Sequence, residues 1–315
     1  MHVPGVLRKE KISIIGAGNV GATSAFEIAR RDMGNITLVD IADGIPQGRA
    51  LDIQHSMPLF GSSSRISGTT DFSEIRDSDV IVIAAGRARK PGMTREDLLG
   101  ANAKIVKDIC SRVKELAPNS VVIMVTNPID IICYIAYKEL GFPRERVLGM
   151  AGLLDTARFR AFIAMETKVP PDKIEAVVLG SHGDTMVPVL EHTKVKGRPL
   201  KDVLSPEKIH AIVERTRKAG GEIVSLLKTG SASFAPAVSI SEMVSAVTEG
   251  SRATLPVSVL LEGEYGHEGI FLGVPARLGK SGLQRVVELQ LDTETREQLD
   301  RSANIIKNLM KSAGL

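Results

Sequence analysis

The chain has 315 residues, of which 43% are hydrophobic and 24% charged, and its 40 basic and 37 acidic residues leave a formal net charge of +3. That length supports a large core divided between two sub-domains. The charge is too balanced for a nucleic-acid binder: the basic residues form no long run, and with no Trp and 3% aromatic residues there is little surface for stacking bases. Cys110 and Cys133 fall in segments read as helices, have no metal-type spacing, and read as small buried hydrophobes in a reducing compartment. The opening MHVPGVLRKEK lacks the apolar core of a signal peptide, and no apolar stretch approaches the ~18 residues of a membrane span. A cytoplasmic protein is expected, with neither a membrane nor a nucleic acid as partner.

In chain order, the first half alternates short, β-rich, almost continuously apolar runs with helix-length segments. KISIIG (11–16), NITLVD (35–40), DVIVIAA (79–85), SVVIMVT (120–126) and RVLGM (146–150) read as strands buried on both faces. Helices are expected over 20–31, about 45–57, 96–117 and 128–140. Repeated βαβ order predicts an α/β fold with a doubly wound parallel sheet and right-handed crossovers, which binds its ligand at the carboxyl ends of the strands. The less ordinary residues gather there: Gly16 to Gly21, Asp40, the loop from Gly86, Asn127, and 152–158.

Gly16-Ala17-Gly18-Asn19-Val20-Gly21 follows the first strand and opens a helix. A glycine pattern of this kind is weak alone, but here its context is right. Gly16 permits the tight turn, Gly18 lets a pyrophosphate approach the backbone, Gly21 lets helix and strand pack, and the helix start offers free N–H groups to phosphate. Asp40 lies 19 residues beyond Gly21, at the end of the next strand. A carboxylate there grips a ribose hydroxyl and repels a 2′-phosphate, which favours NAD over NADP. The opposing reading is an ordinary turn with an incidental Asp.

The second half, 151–315, reads as a separate α+β domain with a boundary near residue 150. EAVVLG, TMVPVLEHTKV, VSVLLEGEYG, GIFLGVPARLG and LQRVVELQL resemble an antiparallel meander, and helices are expected over about 206–228, 236–250 and 293–312. His182, in VVLGSHGDT, is the histidine in a glycine frame. His2, His55, His192, His210 and His267 read as surface or capping residues. Asp155 and Arg158, in GLLDTARFR, would share one helix face, supplying a carboxylate to orient an imidazole and a guanidinium to hold an acid. On spacing alone they could equally be a local salt bridge.

Taken together, GAGNVG, LVD, AGRARKPGMTRED, VTNPID, GLLDTARFR and GSHGDTMVP occur in an order and spacing that resemble the NAD-dependent lactate/malate dehydrogenase family along almost the whole chain. The closer likeness is to its malate-type members with a lactate-dehydrogenase-like fold. The resemblance implies a Rossmann NAD-binding domain (1–150) and an α+β substrate domain (151–315). It implies that His182 exchanges a proton with the substrate, that Asp155 pairs with it, and that Arg158 holds the C1 carboxylate. It puts Asn127 between substrate and nicotinamide, and Asn102 and the 125–127 backbone (Val125, Thr126, Asn127) against NAD. In the cationic loop after Gly86, it makes Arg95 the residue that polarises the reacting carbonyl. Arg89 becomes the specificity residue that binds the second carboxylate of malate or oxaloacetate, a task suited to a planar guanidinium. No role follows for Arg87 or Lys90, and no ligand cluster calls for a metal. Small Ala232 would leave room for a four-carbon acid. The resemblance further implies a tricarboxylic acid cycle enzyme and a homo-oligomer, a tetramer before a dimer. A lactate or broad 2-hydroxy acid dehydrogenase is the nearest alternative reading, and a non-catalytic dinucleotide-binding module a distant one.

Overall fold

A computed structural model describes residues 8–87, 95–250 and 253–315. Arg89 and Lys90 lie outside the described residues. Arg95 is the first residue of a helix whose description does not extend to its side chain.

The first half runs β1 (Lys11–Ile15), α1 (Asn19–Arg30), β2 (Asn35–Val39), α2 (Ile45–Phe60), β3 (Ile66–Thr69), β4 (Val80–Ile83), α3 (Arg95–Leu116), β5 (Val121–Met124), α4 (Ile129–Leu140) and β6 (Val147–Gly149). The second half runs α5 (Gly152–Thr167), β7 (Ile174–Glu175), β8 (Val178–Leu179), β9 (Val187–Pro188), β10 (Lys194–Val195), β11 (Arg198–Pro199), α6 (Pro206–Leu227), α7 (Phe234–Glu249), β12 (Thr254–Glu262), β13 (Glu268–Gly279), β14 (Gly282–Val286) and α8 (Thr293–Ser312).

Strands β1 to β6 pair in parallel in the spatial order β3-β2-β1-β4-β5-β6, the doubly wound arrangement with its switch point between β1 and β4. Every residue of β4 and β5 is buried, because helices cover both faces and leave no polar side on which a period of two could appear. β3, of sequence ISGT, was not among the expected strands: Ser67 and Gly68 dilute its apolar signal, and it lies at the sheet edge.

The sheet does not stop at residue 150. β12 joins β6 antiparallel, with Ser258 opposite Gly149, and β13 and β14 extend it to nine strands. The second half also differs from the meander expected of it. TMVPVLEHTKV contains only the short β9 and β10, separated by a 3₁₀ turn at Leu190–His192. Pro188 has no N–H for a ladder, which limits pairing there. LQRVVELQL pairs only as far as Val286. His267 departs from the surface expectation: it is buried, and its Nε2 lies 2.8 Å from Asp300 Oδ1. Among the described residues no helix is long and apolar enough to cross a membrane.

Candidate active site

The glycine loop is built by close approach. Gly16 has φ of +105°, and a Cβ there would meet the Ala85 backbone nitrogen at 2.5 Å. A Cβ on Gly21 would lie 1.9 Å from the Gly16 carbonyl oxygen. Loop, α1 and β4 are therefore fitted together with no room for a side chain at either position. Gly18 differs: a Cβ there would meet no atom of the described residues within 4 Å, so its open side faces the cleft. Gly18 also precedes α1 with no side chain capping the helix, which leaves the amides around Asn19 and Val20 for a ligand. Ala17 is buried, and its N–H donates to Asp40 Oδ2 at 2.7 Å, while the Ala42 N–H donates to Oδ1 at 3.1 Å. Asp40 thus braces the loop and keeps acceptor capacity on each oxygen. Gly16, Gly18 and Asp40 line a cleft of about 940 Å³, continued by Ala85, Gly86 and Arg87. A dinucleotide fits these residues: an open glycine beside a helix start for its phosphates, and a carboxylate one strand away for a ribose.

Asn102 holds the two loops that frame this cleft. It is almost fully buried, it accepts from the Arg87 N–H at 2.8 Å, and its Nδ2 donates to the Asn127 carbonyl at 2.7 Å. Its amide is committed to backbone, so it acts on the cleft through the loops it joins. Thr126 donates to the Ala85 carbonyl at 2.6 Å, and the Val125 N–H donates to the Ile83 carbonyl. The β4 and β5 ends are tied together at the point where Asn127 reaches the second cavity.

That cavity, of about 510 Å³, lies between α3, α4, the loop at 181–185 and α8, with Asn127, Asp130, His182 and Asp184 among its lining. His182 is one of these lining residues. Its Nδ1 lies 2.8 Å from Asp155 Oδ2, and Arg158 Nη1 lies 3.4 Å from the other Asp155 oxygen. Asp155 is in the first turn of α5, where a carboxylate suits the helix dipole, and Arg158 follows one turn later. The spacing expected to put both on one face does so. Neither Asp155 nor Arg158 is among the residues lining this cavity; Asp155 is joined to it by its contact with the His182 ring, and Arg158 stands behind Asp155.

Asp155 is 2% exposed and His182 16%. Burial of the imidazole works against its charge. The charge and hydrogen bond of Asp155, with the charge of Asp130, outweigh burial and the opposing Arg158 charge, so the His182 pKa is raised above its ordinary 6.5. Nδ1 is committed to Asp155, which leaves Nε2 as the nitrogen able to meet a ligand. Among the described residues, Arg158 Nε is buried without a hydrogen-bond partner. An unpaired guanidinium N–H beside a catalytic-type His–Asp pair suits an anionic ligand that brings its own acceptor oxygens.

Two groups at this site escaped the reading of the sequence. Asp130 accepts from the His182 N–H at 3.2 Å and from Ser258 Oγ at 2.8 Å. Asp130 stands in VTNPID, three residues after Asn127, where a carboxylate opening a helix was a usable signal. Ser258 lies mid-strand and carries no local signal at all.

The family model for the lactate/malate dehydrogenase NAD binding domain matches residues 10–149, and that for the lactate/malate dehydrogenase alpha/beta C-terminal domain matches 153–314. A malate dehydrogenase of Bacillus israeli is 48% identical over 308 residues, covering 97% of this chain and 99% of the relative. The crystal structure of Cryptosporidium parvum malate dehydrogenase superposes with a TM-score of 0.94 at 40% identity, covering 96% of this chain and 98% of its own. The lactate dehydrogenase of the same organism, complexed with lactic acid and nicotinamide adenine dinucleotide, gives 0.94 at 39% identity with 98% of both chains covered. Fold likeness alone therefore does not separate the two substrates. The chain belongs to the lactate/malate dehydrogenase family.

Proposed function

We propose that this chain is an NAD-dependent malate dehydrogenase, interconverting (S)-malate and oxaloacetate, with a Rossmann NAD-binding domain over 1–150 and a substrate domain over 151–315 that supplies His182, Asp155 and Arg158. The observation that carries the reading is the His182–Asp155 pair beside an Arg158 guanidinium whose buried Nε has no partner among the described residues. The names of the relatives favour malate over lactate. NAD bound against Gly16 to Gly21 and Asp40 would supply the hydride acceptor.

The chain's own residues do the rest. Arg158 binds the C1 carboxylate through N–H groups that Asp155 leaves free, and so turns C2 toward the cleft. His182 Nε2 removes the C2 hydroxyl proton during oxidation and returns it during reduction. Asp155 holds the ring through Nδ1 and stabilises the imidazolium, as carboxylates do for other catalytic histidines. Asn127 lines the cavity that holds His182, with its backbone fixed by Asn102. By family resemblance, Arg95 stabilises the developing oxyanion and Arg89 binds the C4 carboxylate.

Exposed apolar side chains on α2 (Ile45, Leu51, Leu59, Phe60) and α6 (Val224, Leu226, Leu227) support assembly into a closed homo-oligomer, and we favour a tetramer over a dimer. A cytoplasmic setting and a place in the tricarboxylic acid cycle complete the proposal. Both cysteines are free and buried, which fits a reducing compartment.

The test compares NADH oxidation with oxaloacetate and with pyruvate for the native chain and Arg89→Gln. We expect the native chain to prefer oxaloacetate, and the variant to lose on the order of a hundredfold in kcat/KM for it, the scale of a lost charge-assisted contact. Equal native rates, or a preference for pyruvate, would favour the lactate-type reading.

A further inference from the structure

Three successive backbone amides carry the His182 loop to three different elements. The Gly180 N–H donates to the Gly273 carbonyl of β13 at 2.8 Å, and the Ser181 N–H donates to Ser302 Oγ of α8 at 2.9 Å. The His182 N–H goes to Asp130 Oδ2 of α4 at 3.2 Å. Only the last acceptor is a carboxylate, and it is buried.

A carboxylate inside a protein needs donors. Asp130 has the His182 amide on one oxygen and Ser258 Oγ on the other. Ser258 reaches it because β12 runs close against β6: a Cβ on Gly149 would lie 2.9 Å from Ser258 Cβ and 2.7 Å from Cys133 Sγ. The start of α4, the junction of β6 with β12, and the His182 loop thus converge on one side chain. That side chain lies three residues after Asn127 and lines the same cavity as Asn127 and His182.

We propose that Asp130 is a positioning residue, fixing the His182 loop through its backbone and adding a second carboxylate to the field on the ring, so that the proton-transfer group is set between carboxylates from two helices. The proposal rests on the reading of His182 as the group that moves the proton. An interior apolar residue could fill the space without binding the loop. A neutral amide could bind it without the field. Retaining a buried carboxylate gives both.

The groups facing His182 are Asp155 and Arg158 from α5, Asp130 from α4, and Asp184 and Lys107 around the shared cavity. Those beside Asp130 are Ser258, Ser181, His182 and, one turn along α4, Cys133. Burial pushes the Asp130 carboxyl up, and Ser258, the His182 charge and Ser181 pull against it. Removing the Asp130 charge should therefore lower the His182 pKa. Removing Ser258 should act in the same direction, by leaving the carboxylate less well stabilised as an anion.

The experiment measures pH profiles of kcat and KM for oxaloacetate reduction and malate oxidation in Asp130→Asn, Ser258→Ala and His182→Asn, with NADH binding as the check on folding. Asp130→Asn should keep NADH affinity and move the His182 limb down by roughly half to one pH unit. Its kcat should fall on the order of tenfold, with KM little changed, as a displaced proton-transfer group requires. Ser258→Ala should shift the limb the same way by less, and it decides the matter if Asp130→Asn fails to bind NADH. An unmoved limb in the NADH-binding variants, with only a lower melting temperature, would overturn the proposal and leave Asp130 a packing residue. Near-native turnover in His182→Asn would overturn the reading of His182 itself, which is a separate failure.

Discussion

Among the described residues, two His–Asp pairs have the same 2.8 Å contact, His182–Asp155 and His267–Asp300. What differs is which partner is shielded. Asp155 is 2% exposed while the His182 ring opens on a cavity. In the second pair Asp300 is 42% exposed and His267 is the buried member. His267 uses Nε2 for Asp300, and Arg296 Nε shares the same carboxylate oxygen at 3.3 Å. That cluster ties the turn before β13 to α8. The contact is therefore no signature of chemistry by itself. The dry carboxylate of the first pair suits His182 to the proton transfer proposed for it. The buried ring and wetter carboxylate of the second pair suit a structural clasp.

The largest expected effect breaks the pairs one at a time. His182→Asn should lower turnover by about 10³-fold or more, with NADH binding intact, the scale of a lost general acid–base group. His267→Asn should leave kcat near native and cost about 1–3 kcal/mol of stability, the range for an opened buried hydrogen bond. Steady-state rates and thermal melts of the two variants side by side would show whether the contrast holds. Equal kinetic losses would erase it.

A second pair of variants sharpens the electrostatic side. Asp155 raises the His182 pKa, so Asp155→Asn should lower it. Reduction of oxaloacetate needs the protonated ring, so its alkaline limb should move to lower pH. Malate oxidation needs the neutral ring, so its acid limb should move the same way. Asp300→Asn should leave both limbs in place and cost only about 0–1 kcal/mol, as its carboxylate is partly solvated. pH–rate profiles in both directions check this.

The smallest change leaves both pairs untouched and removes only the cofactor's approach. Gly18→Ala adds a methyl where no atom of the described residues lies within 4 Å, at a φ of −67° that any residue adopts. Stability should change by no more than about 0.5 kcal/mol, while NADH affinity falls about tenfold. Gly21→Ala, with its Cβ 1.9 Å from the Gly16 oxygen, should instead cost at least about 1–3 kcal/mol of stability. Melting curves and NADH titrations separate the two glycines.

The glycine loop, Asp40 and the central strands were legible because their signals are local. Buried parallel strands must be apolar on both faces, and a turn with φ of +105° at Gly16 selects glycine. The Asp155–Arg158 pair was legible as one helix face, though spacing alone could not tell a site from a salt bridge. The motif context brought His182 to it. β3 was missed because a short edge strand has little apolar content to show. His267 was misread because a polar neighbourhood in sequence says nothing of what packs over it.

By itself, then, the sequence determined the βαβ order and the dinucleotide loop, since each depends on neighbours within a few residues, and its motifs carried the resemblance to a dehydrogenase family. The tertiary structure decided what depends on distant segments. It continued the sheet across residue 150 through the pairing of Ser258 with Gly149. It chose the His–Asp pair that opens on a cavity, and it turned Asn102 into the tie between two loops. It also brought Asp130 and Ser258, 128 positions apart, to within 2.8 Å beneath His182. Burial and long-range hydrogen bonding depend on the whole packed chain, so no stretch of sequence contains them.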